Sequence, residues 1–213
     1  MAEPQQPTDM ELAALIASKI CHDVIGPVGA IYNGLEILEE DDDKQSNSYA
    51  LEVINNVTVQ ASARLQFARF AFGAAGSAGS LIDLETARTI SVGLIGEGKH
   101  KLVWQGPMGH LPKNQAKLLL NLVAVSITAL PRGGEIALQI GPDLSSPEFV
   151  IRCSGRGARP PQHLGEFIEG KNSPEIDAMT IQAYYTWRLA NETSMKLSIA
   201  HEGDDIALSA IAS

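Results

Sequence analysis

The chain has 213 residues, 45% of them hydrophobic, and a formal net charge of −9, enough apolar material for one large or two small domains with a real core. The charge is uneven, with 4 basic and 11 acidic residues in Met1–Gly79 against 12 and 14 in Ser80–Ser213. This balance argues against a general nucleic-acid binder, which draws its affinity from cations placed on phosphates.

The opening MAEPQQPTDM has neither the basic start nor the apolar run of a signal peptide. No stretch reads as an apolar membrane span of about 20 residues. The expectation is a cytoplasmic protein with no membrane partner.

Leu12, Leu15 or Ile16, Ile20, Val24, Val28, Ile31, Leu35 and Leu38 recur at steps of three and four, which predicts a long first helix with a bundle seam. The acidic turn EEDDDKQSNS follows, its Asp41–Asp43 placed where a helix dipole favours negative charge. A second helix is predicted from Ala50, Val53 or Ile54, Val57, Ala61, Leu65, Ala68 and Phe72. Two helices make a poor core. At ~1.5 Å per residue each is roughly 40 Å long, and covering both seams calls for another hairpin. The economical solution is a homodimer with a four-helix bundle.

At GAAGSAGS, residues 73–80, small flexible residues replace the periodic apolar ones. A boundary there divides the chain into a helical hairpin, 1–79, and an α/β domain, 80–213. Downstream, LIDLETARTISVGLIGEG predicts a helix, HKLVWQG a strand, and PKNQAKLLLNLVAVSITAL a helix stopped by PRGG. EIALQI and EFVIRC read as paired strands joined by GPDLSSP. SPEIDAMTIQAYYTWRLANET reads as a helix with Pro174 near its start, and SMKLSIAHEGDDIALSAIAS as a closing hairpin. Cys21 and Cys153 fall in different predicted elements and suggest neither a disulfide framework nor a metal site.

One stretch of the first helix, SKICHDVIGPVGAIYNGLEIL, carries Pro27 and three glycines, Gly26, Gly29 and Gly34. In a helix interior each glycine costs about 1 kcal/mol against alanine and proline about 3. The helical neighbours of His22 are Gly26, Gly29 and Asn33, then Glu36 and Glu40, a small and polar stripe. Ile20 and Val24 lie nearly opposite, so the ring is expected to point to solvent from a bare surface. Such a surface admits another protein's backbone. Imidazole can carry a phosphoryl group covalently on a ring nitrogen, and near pH 7 its neutral form is a nucleophile without a metal. Asp23 is placed to accept a hydrogen bond from the other ring nitrogen, and Pro27 to bend the helix just past the histidine. The same residues also fit an ordinary surface histidine with glycines serving close helix packing. A metal site lacks a second ligand at a recognised spacing, and a Ser or Cys hydrolase lacks a nucleophile elbow. His100, His110, His163 and His201 fall near loops and strand ends and are assigned no role.

CHDVIGPVGAIYNGLEIL resembles the H-box of sensor histidine kinases, in which an acid follows the histidine and a proline stands at the fifth position, here His22, Asp23 and Pro27. Four residues after the histidine that family often has Thr or Asn, linked to phosphatase activity; Gly26 stands there, so receiver dephosphorylation does not carry over. LLLNLVAVSITALPRGGEIAL resembles the kinases' N-box helix and following strand, with Asn121 in place but Val125 where a second asparagine would hold magnesium. VIRCSGRGA resembles the DxGxG box, keeping Gly155 and Gly157 but with Cys153 where an aspartate would recognise adenine. Between Pro160 and Ile181 there is no GxGLGL-like loop. Valine cannot ligate a hard cation and a thiol is a poor acceptor for an adenine amino group. No ATP binding, and no cofactor or metal on this chain, is expected.

A phosphorylatable helix joined to a dead nucleotide pocket resembles the dimeric histidine phosphotransferases of alphaproteobacterial cell-cycle phosphorelays, over nearly the whole chain. The resemblance implies an α+β fold, a dimeric helical bundle plus a C-terminal α/β sandwich like the kinase ATPase (Bergerat) fold. It implies that His22 accepts phosphate from a receiver aspartate of a hybrid histidine kinase and passes it to receiver aspartates of response regulators, with Asp23 orienting the imidazole. Magnesium would sit on the partner receivers. Receiver contacts would come from Val24, Ile25, Gly26, Gly29, Ala30 and Asn33, with Arg156 and Arg159 of RCSGRGARPP, alongside Arg152, meeting acidic receiver surface. The alternative is a kinase-like scaffold that binds receivers without carrying phosphate. An active ATP-dependent kinase is disfavoured by Val125 and Cys153.

Overall fold

A computed structural model of the chain describes residues 6–40, 43–73, 79–170 and 175–212. Helix α1, Asp9–Glu40, opens with a reciprocal cap in which the Glu11 amide donates to Thr8 Oγ1 at 3.3 Å and the Thr8 amide to Glu11 Oε2 at 2.8 Å. Helix α2, Lys44–Ala71, is capped by Asp43, whose carboxylate accepts from the Ser46 amide at 3.1 Å. Asp41 and Asp42 of the expected acidic turn lie outside the described residues. The two helices run antiparallel, with Gly34 facing Ala50 and Ile54 and, towards the other end, Asp23 facing Arg64.

Gly34 is buried, and a Cβ there would stand 2.7 Å from Ile54 Cγ1. This glycine lets α2 pack closely at Ile54, a packing role separate from that of Gly26 and Gly29. Only Leu12 and Gly34 of α1 are buried, although the helix has 32 residues. The 100° helical step separates three faces: Ile20, Gly34 and Leu38 towards α2, the His22 stripe, and an exposed apolar run of Ile25, Val28, Tyr32 and Leu35. Contrary to the expectation from sequence, α1 is long and apolar enough to cross a membrane by length and composition. Apolar residues on two of its three faces give it that character.

Beyond residues 74–78, which hold the core of the expected linker and lie outside the described residues, a short strand β1, Leu81–Asp83, leads into helix α3, Leu84–Ile95. The sequence pattern ran these together as one helix. Leu81–Asp83 instead pairs antiparallel with β3, His110–Pro112, burying Ile82 and Leu111 under the helix that follows, Lys113–Ala129. The main sheet has five strands in the order β2 (His100–Gln105), β4 (Gly134–Ile140), β5 (Glu148–Ser154), β7 (Asp205–Ala212) and β6 (Met195–Glu202), antiparallel except for β2 with β4. The expected strands and closing hairpin are all present. Alternation on β5 sends Phe149, Ile151 and Cys153 inward and leaves Val150 and Arg152 exposed.

Helices α4 (Lys113–Ala129), α5 (Gln162–Glu169) and α6 (Ile181–Glu192) stand against this sheet, and α3 packs on its β2 edge. Helix α4 is wrapped on most sides, by sheet, α2, α3 and α6, and 11 of its 17 residues are buried. Helix α5 was not anticipated, though its signals are present: Pro161 before it, Leu164, Phe167 and Ile168 at helical spacing, and Gly170 in the left-handed conformation after it. The expected helix from Ser173 begins only at Ile181, because Asp177 Oδ1 accepts from the amides of Met179 and Thr180 at 2.8 and 2.9 Å and holds a turn there. Pro174 lies outside the described residues.

Candidate functional site

His22 sits in the middle of α1 with its side chain 83% exposed, as its helical position requires. A Cβ added at Gly26 or Gly29 would meet nothing within 4 Å. Around the ring the backbone is therefore bare, with Ile25 exposed beside it, Asn33 exposed three turns further along the same face, and Val24 and Ala30 half-buried. Of the six α1 positions expected to touch a partner, Gly26, Gly29 and Asn33 share the face of His22, Ile25 and Ala30 lie at its two edges, and Val24 lies on the opposite side of the helix. Pro27 continues the helix without an amide donor.

Asp23 is held at both ends. Its carboxylate pairs with Lys19 Nζ one turn earlier, and its backbone carbonyl accepts from Arg64 Nη1 of α2 at 2.6 Å. His22 Nδ1 stands 3.6 Å from Asp23 Oδ1, beyond hydrogen-bond reach but within range of its charge. The carboxylate thus faces the Nδ1 side of the ring while Lys19 engages it. The spacing of Lys19 and Asp23 was readable as a helical pair. Arg64, 41 residues from Asp23, carried no sequence signal.

Beside His22 a cleft of about 510 Å³ opens between the hairpin and the α/β layer, lined among others by Lys19, Arg64, Phe72, Ile127 and Met179. A neighbouring cavity of about 330 Å³ shares Thr128, Met179 and Gln182 with it and is lined by Arg159. Arg156 is exposed on the same loop but lines neither, and Arg152 is neutralised by an ion pair with Glu202. Of the expected arginine cluster, Arg159 is the member that the fold carries towards the histidine cleft. Among the described residues no group of three or more His, Cys, Asp or Glu side chains is placed to hold a metal ion.

A family model described as the histidine phosphotransferase C-terminal domain matches residues 84–205. This chain belongs to the histidine phosphotransferase family. It is 44% identical over 211 residues to the protein phosphotransferase ChpT of Brucella abortus (strain 2308), covering 99% of this chain and all of that protein. A bacterial phosphotransferase solved at 1.7 Å superimposes with a TM-score of 0.90 at 42% identity, over 98% of this chain and all of that one. The resemblance read from the H-box and the altered nucleotide boxes is thereby borne out, as is the α+β architecture.

In this histidine phosphotransferase the residues matched to the nucleotide boxes serve the fold. Asn121 is fully buried, and its Nδ2 donates to the carbonyls of Ala71 at 3.2 Å and Lys117 at 2.8 Å while its Oδ1 accepts from Gln182 Nε2. It ties together α2, α4 and α6. Lys117, one turn before Asn121, reaches the Phe72 carbonyl at 3.5 Å, and burial followed by the charge of Lys113 holds its pKa below that of a free lysine. Val125 is buried. Cys153 Sγ points at the Ser126 carbonyl, 3.8 Å away, and burial pushes its thiol pKa up to about 12, so it stays protonated at neutral pH. Gly155 is retained because a Cβ would lie 2.5 Å from the Gly133 carbonyl, and Gly157 because its φ is +74°.

Proposed function

We propose that the chain is a phosphorelay carrier in which His22 takes a phosphoryl group from a receiver aspartate of a hybrid histidine kinase and gives it to receiver aspartates of response regulators. The supporting observation is the exposed imidazole on a stripe whose Gly26 and Gly29 leave open space for an approaching backbone. With Nδ1 turned towards Asp23, Nε2 is the outward nucleophile. Its lone pair attacks phosphorus, the P–O bond to the receiver carboxylate breaks, and that electron pair returns to the carboxylate. The positive charge left on the ring is shared with Nδ1–H, which the Asp23 carboxylate stabilises. Transfer onward is the reverse step with a second receiver.

In this reading the chain binds no ATP, because Asn121 is fully buried with its amide tied to Ala71, Lys117 and Gln182, and Cys153 fills the place of the adenine-binding carboxylate. Magnesium belongs to the receivers. The hairpin, 1–79, carries the histidine, and 80–213 forms a docking wall from which Arg159 and Arg156 meet acidic receiver surface. The place of action is the cytoplasm, in a cell-cycle relay of the kind that the sequence resemblance implies.

We also assign the exposed residues Val28, Tyr32 and Leu35 to a second copy of the hairpin, giving a dimeric four-helix bundle. Leu35→Asp, which puts a charge among them and touches neither His22 nor its stripe, is expected to halve the solution mass measured by light scattering; a wild type that is already monomeric contradicts the assignment.

The function is tested by incubating the chain with a labelled phospho-receiver. Label is expected to pass to the wild type and not to His22→Ala. Label on His22→Ala would refute the carrier, and receiver binding without any label on the wild type would show a scaffold.

A further inference from the structure

We infer that Arg64 is a positioning residue for phosphotransfer: from α2 it supplies the hydrogen bond that Pro27 removes from α1, and so fixes the backbone that aims His22. The inference rests on the carrier reading above. In a regular helix the Asp23 carbonyl accepts from the amide four residues on. That residue is Pro27, which has no amide hydrogen and whose ring crowds the same carbonyl. A proline inside a helix thus strips one acceptor of its partner one residue past the phosphoacceptor. Arg64 Nη1 occupies that carbonyl at 2.6 Å.

Two consequences follow from the geometry. The peptide carrying this carbonyl begins at Asp23, so holding it fixes the backbone adjoining His22 and with it the direction of the histidine side chain. Reacting groups must be placed to within a fraction of an ångström, and a shift of about 1 Å costs on the order of 10²-fold in rate. The same guanidinium also lines the cleft beside His22, so its remaining N–H groups stay at the rim of the site while one is committed to the backbone. Lys19 holds the Asp23 carboxylate from the other side. The residue next to the nucleophile is therefore clamped by two cations, one on its side chain and one on its backbone.

The test exploits the cause of the vacancy, since Pro27→Ala restores the missing amide. Arg64→Ala alone is expected to slow label transfer from a phospho-receiver by about 10- to 100-fold at saturating donor, with the donor concentration for half-maximal rate little changed and Arg64→Lys recovering part of the rate. In a Pro27→Ala background the further effect of Arg64→Ala is expected to shrink to within about 3-fold. Wild-type transfer by Arg64→Ala, or an equal loss in both backgrounds, overturns the inference. Should Pro27→Ala itself be inactive, the carbonyl 13C resonance of Asp23 decides. It is expected to move in Arg64→Ala and return in the double variant, and a resonance that does not move overturns the inference. A wild type that takes no label refutes the carrier reading instead, and leaves the resonance as the test of the clamp.

Discussion

Gly29→Leu is expected to make the chain more stable and to cut phosphotransfer by about 100-fold, the loss expected when a reacting group is held about 1 Å out of place. The two effects have separate causes. A Cβ at Gly29 meets nothing, so the variant builds into open space and exchanges the conformational freedom of glycine for a good helix former, a gain of about 0.5–1 kcal/mol. The same side chain stands two turns from His22 on its own stripe, where a receiver backbone has to come within bonding distance. Gly29→Ala should gain the stability with a much smaller loss of rate. At Gly26 the gain is smaller, because this residue precedes Pro27, whose ring disfavours a Cβ in helical conformation. Urea midpoints and single-turnover transfer rates measure both effects. A Gly29→Leu chain that transfers at the wild-type rate removes the stripe from the docking face.

Asn121→Ala is expected to lower stability by about 1–3 kcal/mol, the cost of stranding buried polar groups. Ala71 is the last residue of α2, where carbonyls lack partners within the helix. The Asn121 amide supplies one from α4, and Gln182 of α6 closes the knot from the other side. Removing it frees the junction between hairpin and α/β layer, so amide exchange should quicken at the end of α2 as the urea midpoint falls. Magnesium separates this role from that of a metal ligand. A ligand that binds the native state raises its stability by mass action, and here millimolar magnesium should leave the midpoint of the wild type unchanged. A midpoint raised by magnesium in the wild type and not in Asn121→Ala would show the asparagine holding a cation.

The local signals were legible from sequence and the cross-chain ones were not. The two seams, the alternation of the sheet strands and the stripe around His22 follow from periodicities of 3.6 and 2, and they place the long helices, the five strands of the main sheet and the exposed imidazole correctly, though not the order of those strands. The short pair of Leu81–Asp83 with His110–Pro112 escaped because it is stabilised by partners 27 or more residues apart. The turn that delays α6 rests on a single carboxylate, Asp177, capping amides two and three residues on. Asn121 was recognised as a residue type at a matched position, yet its use as a knot depends on Ala71 and Gln182, at separations of 50 and 61 residues. Gly34, unexplained by the stripe, is accounted for by Ile54 of the other helix. Pro27 read as a bend. Only the fold reveals that its missing donor is replaced by Arg64.

The central claim is that the phosphoryl group rests on the imidazole of His22, and its chemical identity is the most direct test. After incubation with a phospho-receiver the chain is digested at neutral pH and the modified peptide sequenced by mass spectrometry, with a second portion held in acid first. The account predicts a single phosphoryl group on the peptide containing His22, present at neutral pH and lost in acid as a phosphoramidate is. An acid-stable phosphate, or one on any residue other than His22, would contradict it.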